Sequence, residues 1–369
     1  VSVCASLAAM ASDLERRALA EHFEIFIISD SDDPRLWQSE TRVVRGLKRE
    51  LSATLPVWYR RRAQNTARKA GNIRDFINRW GQRYDYMVVL DADSVIAADT
   101  LATLVREIEA DPDLGVLQTL PRIIGKRRLY ERLQEFANAV YGPVFARGLS
   151  AWQGQDGNYW GHNAIIRVRA FAESAGLPRL DGRRPFGGEI RSHDFVEAAL
   201  MRRAGWRVRM LTNLEGSWEE SPPTLLDAAV RDRRWAQGNV QHLAVLRTRG
   251  LRWPSRVHMI MGVMNYASSP LWLASVLVGL AVYTLVAAQP TLGGQFDPAQ
   301  MVNLFVATMG LLLVPKLLGL GRALLRPQAR GGLSRRALVA NAVVEQLFSL
   351  LYAPVVMALH SQQLWEIFR

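Results

Sequence analysis

The chain has 369 residues, a formal net charge of +12 and a hydrophobic fraction of 49%, which suffices for two structural units or for one domain with a membrane portion. Its single cysteine, Cys4, excludes an intramolecular disulfide and a thiolate metal cluster. The arginines are spread along the chain without the aromatic interleaving of a single-strand binder, which argues against nucleic acid as a partner. We expect anionic lipid and a phosphorylated substrate as the partners of this charge.

The chain up to about Arg256 is rich in charge and alternates strand-like with helix-like segments. The predicted strands are Phe23–Ile28, Val57–Arg61, Met87–Leu90, Gly115–Leu120, a strand ending at Arg167, and Trp206–Leu211. The predicted helices are Val3–Glu21, Leu36–Leu51, Arg68–Trp80, Leu101–Glu109, Leu129–Gly148, Phe195–Ala204 and Leu225–Arg247. This alternation predicts an α/β, Rossmann-like domain with a largely parallel sheet.

One of these strands leads into a pair of acidic residues. Met87–Leu90 is a short continuous apolar run, typical of a strand that is buried on both faces at the centre of a parallel sheet. It ends in Asp91 and Asp93, and in open α/β sheets ligands bind at the carboxyl ends of strands. A hard divalent cation that bridges phosphates needs one or two such carboxylates. The alternative is a turn whose aspartates only introduce the next helix.

Further polar motifs follow one another in a definite order. They are Asp30 after the first strand, Lys69-Ala70-Gly71-Asn72 at a helix start, Tyr159-Trp160-Gly161-His162-Asn163, Ser192-His193-Asp194, and Arg231-x-x-Arg234-Trp235. Asp194 lies at the start of a predicted helix, where the helix dipole stabilises a carboxylate. Each of these residues, taken singly, also has a structural explanation. Asp30 would be an ordinary acidic residue of a turn, His162 a polar residue with its hydrogen bonds made locally, and Trp235 an anchor at the membrane interface. The order of all the motifs beside apolar spans favours a catalytic site.

The C-terminal part is strongly apolar, and Val257–Phe296 contains no Asp, Glu, Lys or Arg. Its length and composition predict transmembrane helices at about Met259–Ala288, Ala299–Gly321 and Ala337–Leu359. The loop Gln289–Pro298 has no Lys or Arg, whereas the next loop holds Arg322, Arg326, Arg330, Arg335 and Arg336. The positive-inside rule therefore predicts that the second loop and the domain before the spans are cytoplasmic.

Three polar residues lie within the third predicted span, namely Asn341, Glu345 and Gln346. They are expected to face a bundle interior or a passage, since contact with lipid is costly. Glu345 is a candidate for the path of a product, and a structural hydrogen bond between helices is the alternative. The chain starts at Val1 without a signal peptide and with one strand fewer than a complete domain of this kind, so we expect a fragment of a longer protein.

These motifs resemble the processive, membrane-embedded inverting glycosyltransferases of the cellulose-synthase type, which belong to family 2 and have the GT-A fold. Tyr-Trp-Gly-His-Asn, Ser-His-Asp-Phe-Val-Glu-Ala and Arg-Arg-Trp-Ala-Gln-Gly-Asn look most like the glucans biosynthesis glucosyltransferase H family. The resemblance covers nearly the whole chain and implies transfer of glucose from UDP-glucose onto a growing β-glucan. The implied product is an osmoregulated periplasmic glucan with a β-1,2 backbone, made at the bacterial inner membrane with accessory glucan-synthesis proteins.

The resemblance also implies a role for each matching residue. Asp194 would be the catalytic general base, and Asp93 together with Asp91 would coordinate Mg²⁺ or Mn²⁺. The nucleotide sugar would be bound by Asp30, Lys69, Asn72, Asp91 and Arg234, and the acceptor by Gly161, His162, Asn163 and Trp235. His193 and Arg231 stand where the cellulose synthases have Glu and Gln, which points away from cellulose as the product.

This interpretation divides the chain into three parts. It predicts a GT-A domain over residues 1–215 without its first strand, amphipathic interface helices with the Arg-x-x-Arg-Trp motif over 216–258, and a transmembrane region with about three spans over 259–369. One alternative is a cellulose-synthase-like or lipid-acceptor glycosyltransferase, which product length would distinguish. The other is a catalytically silent membrane scaffold, in which Asp194→Asn would change no turnover.

Overall fold

The computed structural model describes residues 2–51, 55–125, 127–289 and 297–369, so most of the predicted loop Gln289–Pro298 lies outside the described residues. The chain divides into two compact units. The first unit consists of Val1–Ile124, Ser150–Glu220 and Gln241–Met259, and the second of Gly125–Leu149, Ser221–Val240 and Ile260–Arg369.

The secondary structure follows the predicted alternation closely. The helices are α1 (Ser2–Arg16), α2 (Pro34–Leu51), α3 (Arg68–Trp80), α4 (Ala98–Glu109), α5 (Leu129–Val140), α6 (Gly142–Gln153), α7 (Val168–Ser174), α8 (His193–Arg203), α9 (Leu225–Val245), α10 (Trp253–Ala288), α11 (Pro298–Leu325) and α12 (Arg335–Phe368). The strands are β1 (Ile25–Ser29), β2 (Val57–Arg61), β3 (Tyr86–Val89), β4 (Val95–Ile96), β5 (Leu114–Thr119), β6 (Arg122–Ile123), β7 (Ala164–Arg167), β8 (Arg207–Leu211) and β9 (Ser217–Glu219). Short 3₁₀ helices cover Ala20–His22, Gly81–Arg83 and Pro327–Arg330.

The sheets of the first unit are mixed in direction. Within the described residues, a four-stranded sheet has the order β3-β7-β5-β8, in which β7 is antiparallel to both neighbours and β5 is parallel to β8. β1 pairs with β2 in parallel, and β9 lies between β4 (antiparallel) and β6 (parallel). The α/β class is confirmed, whereas the largely parallel arrangement is not, because β7 inserts between β3 and β5 with opposite direction.

The strand before the acidic pair, β3, is covered on both faces as predicted. Tyr86 and Val88 pack against one apolar cluster of the first unit, and Met87 and Val89 pack against another. Its place in the sheet differs from the prediction, since among the described strands β3 pairs only with β7. The central positions are taken by β7 and by β5, whose residues are all buried.

Two helix boundaries have clear local causes. The segment predicted as one helix, Leu129–Gly148, forms α5 and α6, which are separated at Tyr141. Pro143 explains the break, because a proline lacks an amide hydrogen and is tolerated only in the first turn of a helix. Gly205 ends α8 as predicted, with φ of +102° in the region that glycine adopts without strain.

Three helices in the described part of the chain are long and apolar enough to cross a membrane, at Trp253–Ala288, Ala299–Leu325 and Arg335–Phe368. They contain the predicted spans and extend beyond them. Each also carries an internal proline, which is Pro270 in α10, Pro315 in α11 and Pro354 in α12.

The polar residues of α12 make a specific contact with α11. Glu345 is buried, and its two carboxylate oxygens lie 3.0 and 3.1 Å from Nζ of Lys316. Gln346 Oε1 accepts from the same ammonium at 3.2 Å, and Ser349 Oγ donates to Glu345 Oε1 at 2.7 Å. This arrangement supports the interpretation of Glu345 as a helix–helix contact. Asn341 is exposed among the described residues, and its predicted orientation towards a bundle interior or a passage stays a prediction.

Candidate active site

The carboxyl ends of β1 and β2 lie side by side because the two strands are parallel. Asp30 follows β1, and its carboxylate accepts hydrogen bonds from Nε and Nη2 of Arg62, both at 2.7 Å. Arg62 follows β2 and also donates to the carbonyl groups of Thr66 and Arg68. Arg62 is not among the predicted site residues, although its position directly after a strand was the available signal. The Arg62 guanidinium fixes the orientation of Asp30.

Asn72 connects α3 with the first sheet. The residue is buried, its Nδ2 donates to the carbonyl of Ile28 at 3.1 Å, and its Oδ1 accepts from Arg60. The amide is thus engaged in holding α3 against the end of β1. Its role in nucleotide binding stays a prediction.

Lys69 lies in the first turn of α3, and its ammonium forms an ion pair with Asp91 after β3. Gly71 permits this tight helix start, because a Cβ at that position would collide with the carbonyl oxygen of Thr66. The Lys-Ala-Gly-Asn motif therefore has a steric reason for its glycine. The motif brings a cation to the acidic end of β3.

Asp91 and Asp93 form a short turn, in which the Ser94 amide donates to the Asp91 carbonyl at 3.0 Å. Asp93 is exposed, and its carboxylate has no hydrogen-bond or ion-pair partner among the described residues. The described residues hold no group of three His, Cys, Asp or Glu side chains suited to a metal. Mg²⁺ and Mn²⁺ at phosphates, however, use one or two carboxylates and keep bound waters. Two hard oxygen donors at a strand end fit that requirement.

Asp194 faces the backbone of Gly161. Asp194 is half-buried in the first turn of α8, where the helix N-terminus stabilises its negative charge. Gly161 has φ of +92°, and a Cβ there would lie 3.3 Å from Oδ2 of Asp194. The glycine of the aromatic turn therefore leaves the space in front of the carboxylate. The structure brings this predicted acceptor residue and the predicted base into contact.

Gly161→Ala is expected to lower turnover by roughly 10–100-fold, because the added methyl group would displace the carboxylate that it meets. Alanine at positive φ also costs about 1–2 kcal/mol of backbone strain. Gly182→Ala is the matched control, since Gly182 has φ of +94° with no atom near its Cβ position. The measurement is turnover of both variants together with their thermal unfolding. Equal losses of turnover in the two variants would contradict a specific effect on Asp194.

The next two residues of the turn are bound to the sheets. Asn163 is fully buried with φ of +49°, and its Nδ2 donates to Ser217 Oγ at 2.8 Å. Its carbonyl accepts from the amide and the hydroxyl of Thr119 at 3.0 and 2.9 Å. His162 lies between Asn163 Oδ1 at 3.0 Å and a carboxylate oxygen of Glu219 at 3.5 Å. These contacts hold the turn in place, and acceptor binding by the two residues stays a prediction.

A buried polar cluster underlies Asp194. His193 and Glu197 are one helical turn apart, with Nδ1 and Oε1 3.0 Å from each other. Burial alone would lower the pKa of His193, but the Glu197 carboxylate outweighs it and raises that pKa. Burial raises the pKa of Tyr159 well above its usual value, and the carboxylates of Glu197, Asp194 and Asp91 raise it further. Asp91 and Asp194 therefore act on one common side chain. Glu197 and Tyr159 are absent from the predicted site, although the His-x-x-x-Glu spacing on one helix face was a signal.

The Arg-x-x-Arg-Trp motif belongs to the second unit, on the N-terminal part of α9. Arg231 lies over the ring of Trp235, with its Cζ 4.4 Å from the ring centroid. Arg234 and Trp235 are exposed, and the Arg234 guanidinium has no ion-pair partner in the part of the chain that the structure describes. The other predicted site residues all belong to the first unit.

Comparison with known proteins identifies a matching family and several similar proteins. The model of glycosyl transferase family group 2 matches residues 86–315. The chain is 46% identical over 381 residues to the glucans biosynthesis glucosyltransferase H of Bradyrhizobium diazoefficiens, covering 99% of this chain and 50% of that protein. It is 45% identical over 376 residues to the protein of the same name from Xanthomonas campestris pv. campestris, covering 98% and 58%.

The chain spans about half the length of the curated relatives that it matches. The resemblance inferred from the motifs is confirmed by these relatives. The family match extends from β3 into the second membrane-compatible helix and covers more than half of the chain. It includes Asp91, Asp93 and Asp194, whereas Asp30, Lys69 and Asn72 precede it. This chain therefore belongs to glycosyl transferase family group 2.

Proposed function

We propose that this chain carries the catalytic part of an inverting glucosyltransferase that moves glucose from UDP-glucose onto a growing β-glucan. The proposed product is an osmoregulated periplasmic glucan with a β-1,2 backbone. The observation that carries the proposal is the Asp194 carboxylate, which lies against the Gly161 backbone in the same unit as Lys69, Asp91 and Asp93. The relatives named as glucan glucosyltransferases support the choice of sugar.

Asp194 acts in this proposal as the general base. Its carboxylate takes the proton of an acceptor hydroxyl, and the hydroxyl oxygen attacks the anomeric carbon of glucose. The bond from that carbon to the diphosphate oxygen breaks, and UDP leaves with the bonding electrons. Attack on the face opposite the leaving group inverts the anomeric centre. The N-terminus of α8 places the positive end of a helix dipole beside the Asp194 carboxylate.

The diphosphate needs compensation of its negative charge. Asp93 and Asp91 would hold Mg²⁺ or Mn²⁺, which supplies a Lewis acid for the departing diphosphate when bound. Lys69, beside Asp91, adds a second positive charge at the end of β3. Arg234, with its planar pair of donors, is proposed to bind the diphosphate in a bidentate manner.

The remaining predicted residues bind the two ends of the substrates in this proposal. Asp30 and Asn72 hold the nucleoside at the edge of β1 and β2. Gly161, His162 and Asn163 line the acceptor end, and Trp235 stacks on an acceptor sugar. In this arrangement the acceptor hydroxyl and the anomeric carbon of the donor glucose meet at Asp194.

We further propose that the protein lies in the bacterial inner membrane with the catalytic domain in the cytoplasm. The support is a group of five arginines at the facing ends of the second and third apolar helices and in the loop that joins them, which the positive-inside rule assigns to the cytoplasm. Anionic lipid would then contact this basic loop. Accessory glucan-synthesis proteins are proposed as partners because of the same resemblance to glucan glucosyltransferases that supports the proposed product.

The test is incorporation of labelled glucose from UDP-glucose by membranes that contain the full-length protein. We expect a polymer that carries β-1,2 linkages by methylation analysis, and we expect chelation by EDTA to stop synthesis until Mg²⁺ or Mn²⁺ is added. A product with one sugar on lipid would favour the lipid-acceptor alternative. Absence of incorporation from UDP-glucose, with incorporation from another sugar nucleotide, would overturn the proposed donor.

A further inference from the structure

The C-terminal end of α9 carries two buried polar residues outside the predicted site. Gln241 is 2% exposed and His242 is fully buried. Both belong to the first unit, together with Asp194. Buried polar side chains are costly unless they form hydrogen bonds, so their partners indicate what they do.

All hydrogen bonds of the Gln241 amide go to one short segment of backbone before α8. Oε1 accepts from the amide of Arg191 at 3.0 Å. Nε2 donates to the carbonyl of Glu189 at 3.0 Å and to that of Gly187 at 3.3 Å. One side chain therefore satisfies three backbone groups of the loop 187–192, which forms no helix or strand. The loop is also paired with Leu180 through an isolated β-bridge at Gly188.

His242 holds the last residue of that loop. Its Nε2 lies 3.1 Å from the carbonyl oxygen of Ser192, and its ring stacks on Phe195 with centroids 5.4 Å apart and planes 18° from parallel. Its Nδ1 is buried without a partner among the described residues. The ring is therefore neutral with its proton on Nε2, which donates to the carbonyl. Burial lowers the pKa of His242, in keeping with this neutral state.

The contacts of His242 lie on both sides of Asp194 in the sequence, at Ser192 and at Phe195. Ser192 occupies the position before α8, yet its side chain forms no capping hydrogen bond. The start of α8 therefore lacks the usual local restraint. The contacts from α9 supply a restraint in its place.

We infer that Gln241 and His242 are positioning residues, which hold residues 187–192 and the first turn of α8 so that the Asp194 carboxylate faces Gly161. The inference rests on the proposed function, in which Asp194 takes the proton from the acceptor. Neither side chain touches a reacting group. A carboxylate displaced by about 1 Å is expected to lose roughly 100-fold in rate, because catalysis depends on near-attack geometry.

Two substitutions of His242 separate its hydrogen bond from its packing. His242→Phe keeps an aromatic ring against Phe195 and removes the donor to Ser192, whereas His242→Gln retains an amide donor near the position of Nε2. We expect kcat of the full-length enzyme to fall by roughly 10–100-fold in His242→Phe, with KM for UDP-glucose within about twofold. His242→Gln is expected to recover most of this loss.

Leu243→Ala is the control, because Leu243 lies on the same helix and is 38% exposed. It should leave kcat unchanged. Gln241→Met, which keeps the length and removes the hydrogen bonds, should act like His242→Phe. If His242→Phe proves unstable in thermal unfolding, the comparison of Gln241→Met with Leu243→Ala decides the question.

Hydrogen–deuterium exchange provides a readout that does not depend on turnover. Amides of residues 187–197 should exchange faster in His242→Phe and Gln241→Met than in the parent and in Leu243→Ala. Unchanged exchange and unchanged kcat in both variants would overturn the inference while leaving the proposed function intact. A parent that incorporates no glucose, with faster exchange in the two variants, would refute the proposed function but leave the restraint of the loop established.

Discussion

Asp194→Asn is expected to lower glucose transfer by about 10²–10⁴-fold, the contribution usual for a general base. The amide keeps the shape and the first-turn position of the carboxylate but cannot take a proton at neutral pH. Asp194 lies against Gly161 at the start of α8, and an amide of the same shape occupies the same space. The variant should therefore retain its fold. The measurement is incorporation of labelled glucose by full-length protein, compared with the parent at equal protein amount.

Asp181→Asn is the control for this substitution, because Asp181 is an exposed aspartate of the same unit. It should transfer glucose at the parental rate. Calorimetric titration with UDP should give similar affinities for the parent and for Asp194→Asn, since the base is not proposed to bind the nucleotide. Equal transfer by the parent and Asp194→Asn would exclude Asp194 as the general base. It would favour the alternative of a catalytically silent membrane scaffold.

Loss of one member of the Lys316–Glu345 pair is expected to have the largest effect on stability. Glu345→Ala would remove the two carboxylate oxygens that lie 3.0 and 3.1 Å from the Lys316 ammonium. The ammonium would then be left without a counter-charge where α11 packs against α12. Removing one partner of a buried ion pair typically costs about 3–5 kcal/mol. The measurement is the unfolding free energy of the full-length protein in detergent, from a denaturant titration.

The double replacement Lys316→Met with Glu345→Met tests the physical reason. An apolar pair of similar volume removes both charges together, so we expect stability to return to near the parental value. A double variant that is as unstable as Glu345→Ala would show that the polar groups stabilise the helices through more than mutual compensation.

Glu345→Gln separates the structural role from a role in the path of the product. The amide oxygen can still accept from Lys316 and from Ser349. Lower polymer export with unchanged stability would favour the path. Unchanged export and unchanged stability would exclude Glu345 from that path.

Local structure was largely predictable from the sequence. The bounds of β2 and α3 match the prediction, and the other predicted elements of the first unit differ from it mainly at their ends. The short elements β4, β6, α7 and β9 were not predicted. The spacing of apolar residues distinguishes a helix from a strand, because the backbone geometry of each sets the period at which side chains return to the same face. The division of Leu129–Gly148 was also readable in principle from Pro143.

Sheet direction and pairing were not predictable in the same way. An apolar run such as that of β7 does not predict which strands pair with it, or whether the paired strands are parallel or antiparallel. Its position between β3 and β5 depends on contacts between residues far apart in the chain. The edge position of β3 among the described strands follows from the same arrangement.

By itself the sequence determined the α/β class, the apolar helices and the order of the acidic motifs, because each of these depends on residues close together in the chain. Tertiary structure decided which polar groups meet. It paired Asp30 with Arg62 and Lys69 with Asp91, and it placed Asp194 against Gly161. It also enclosed His242 below the loop before α8. Such contacts join distant segments, and only the packing of helices and sheets around a common core brings those segments together.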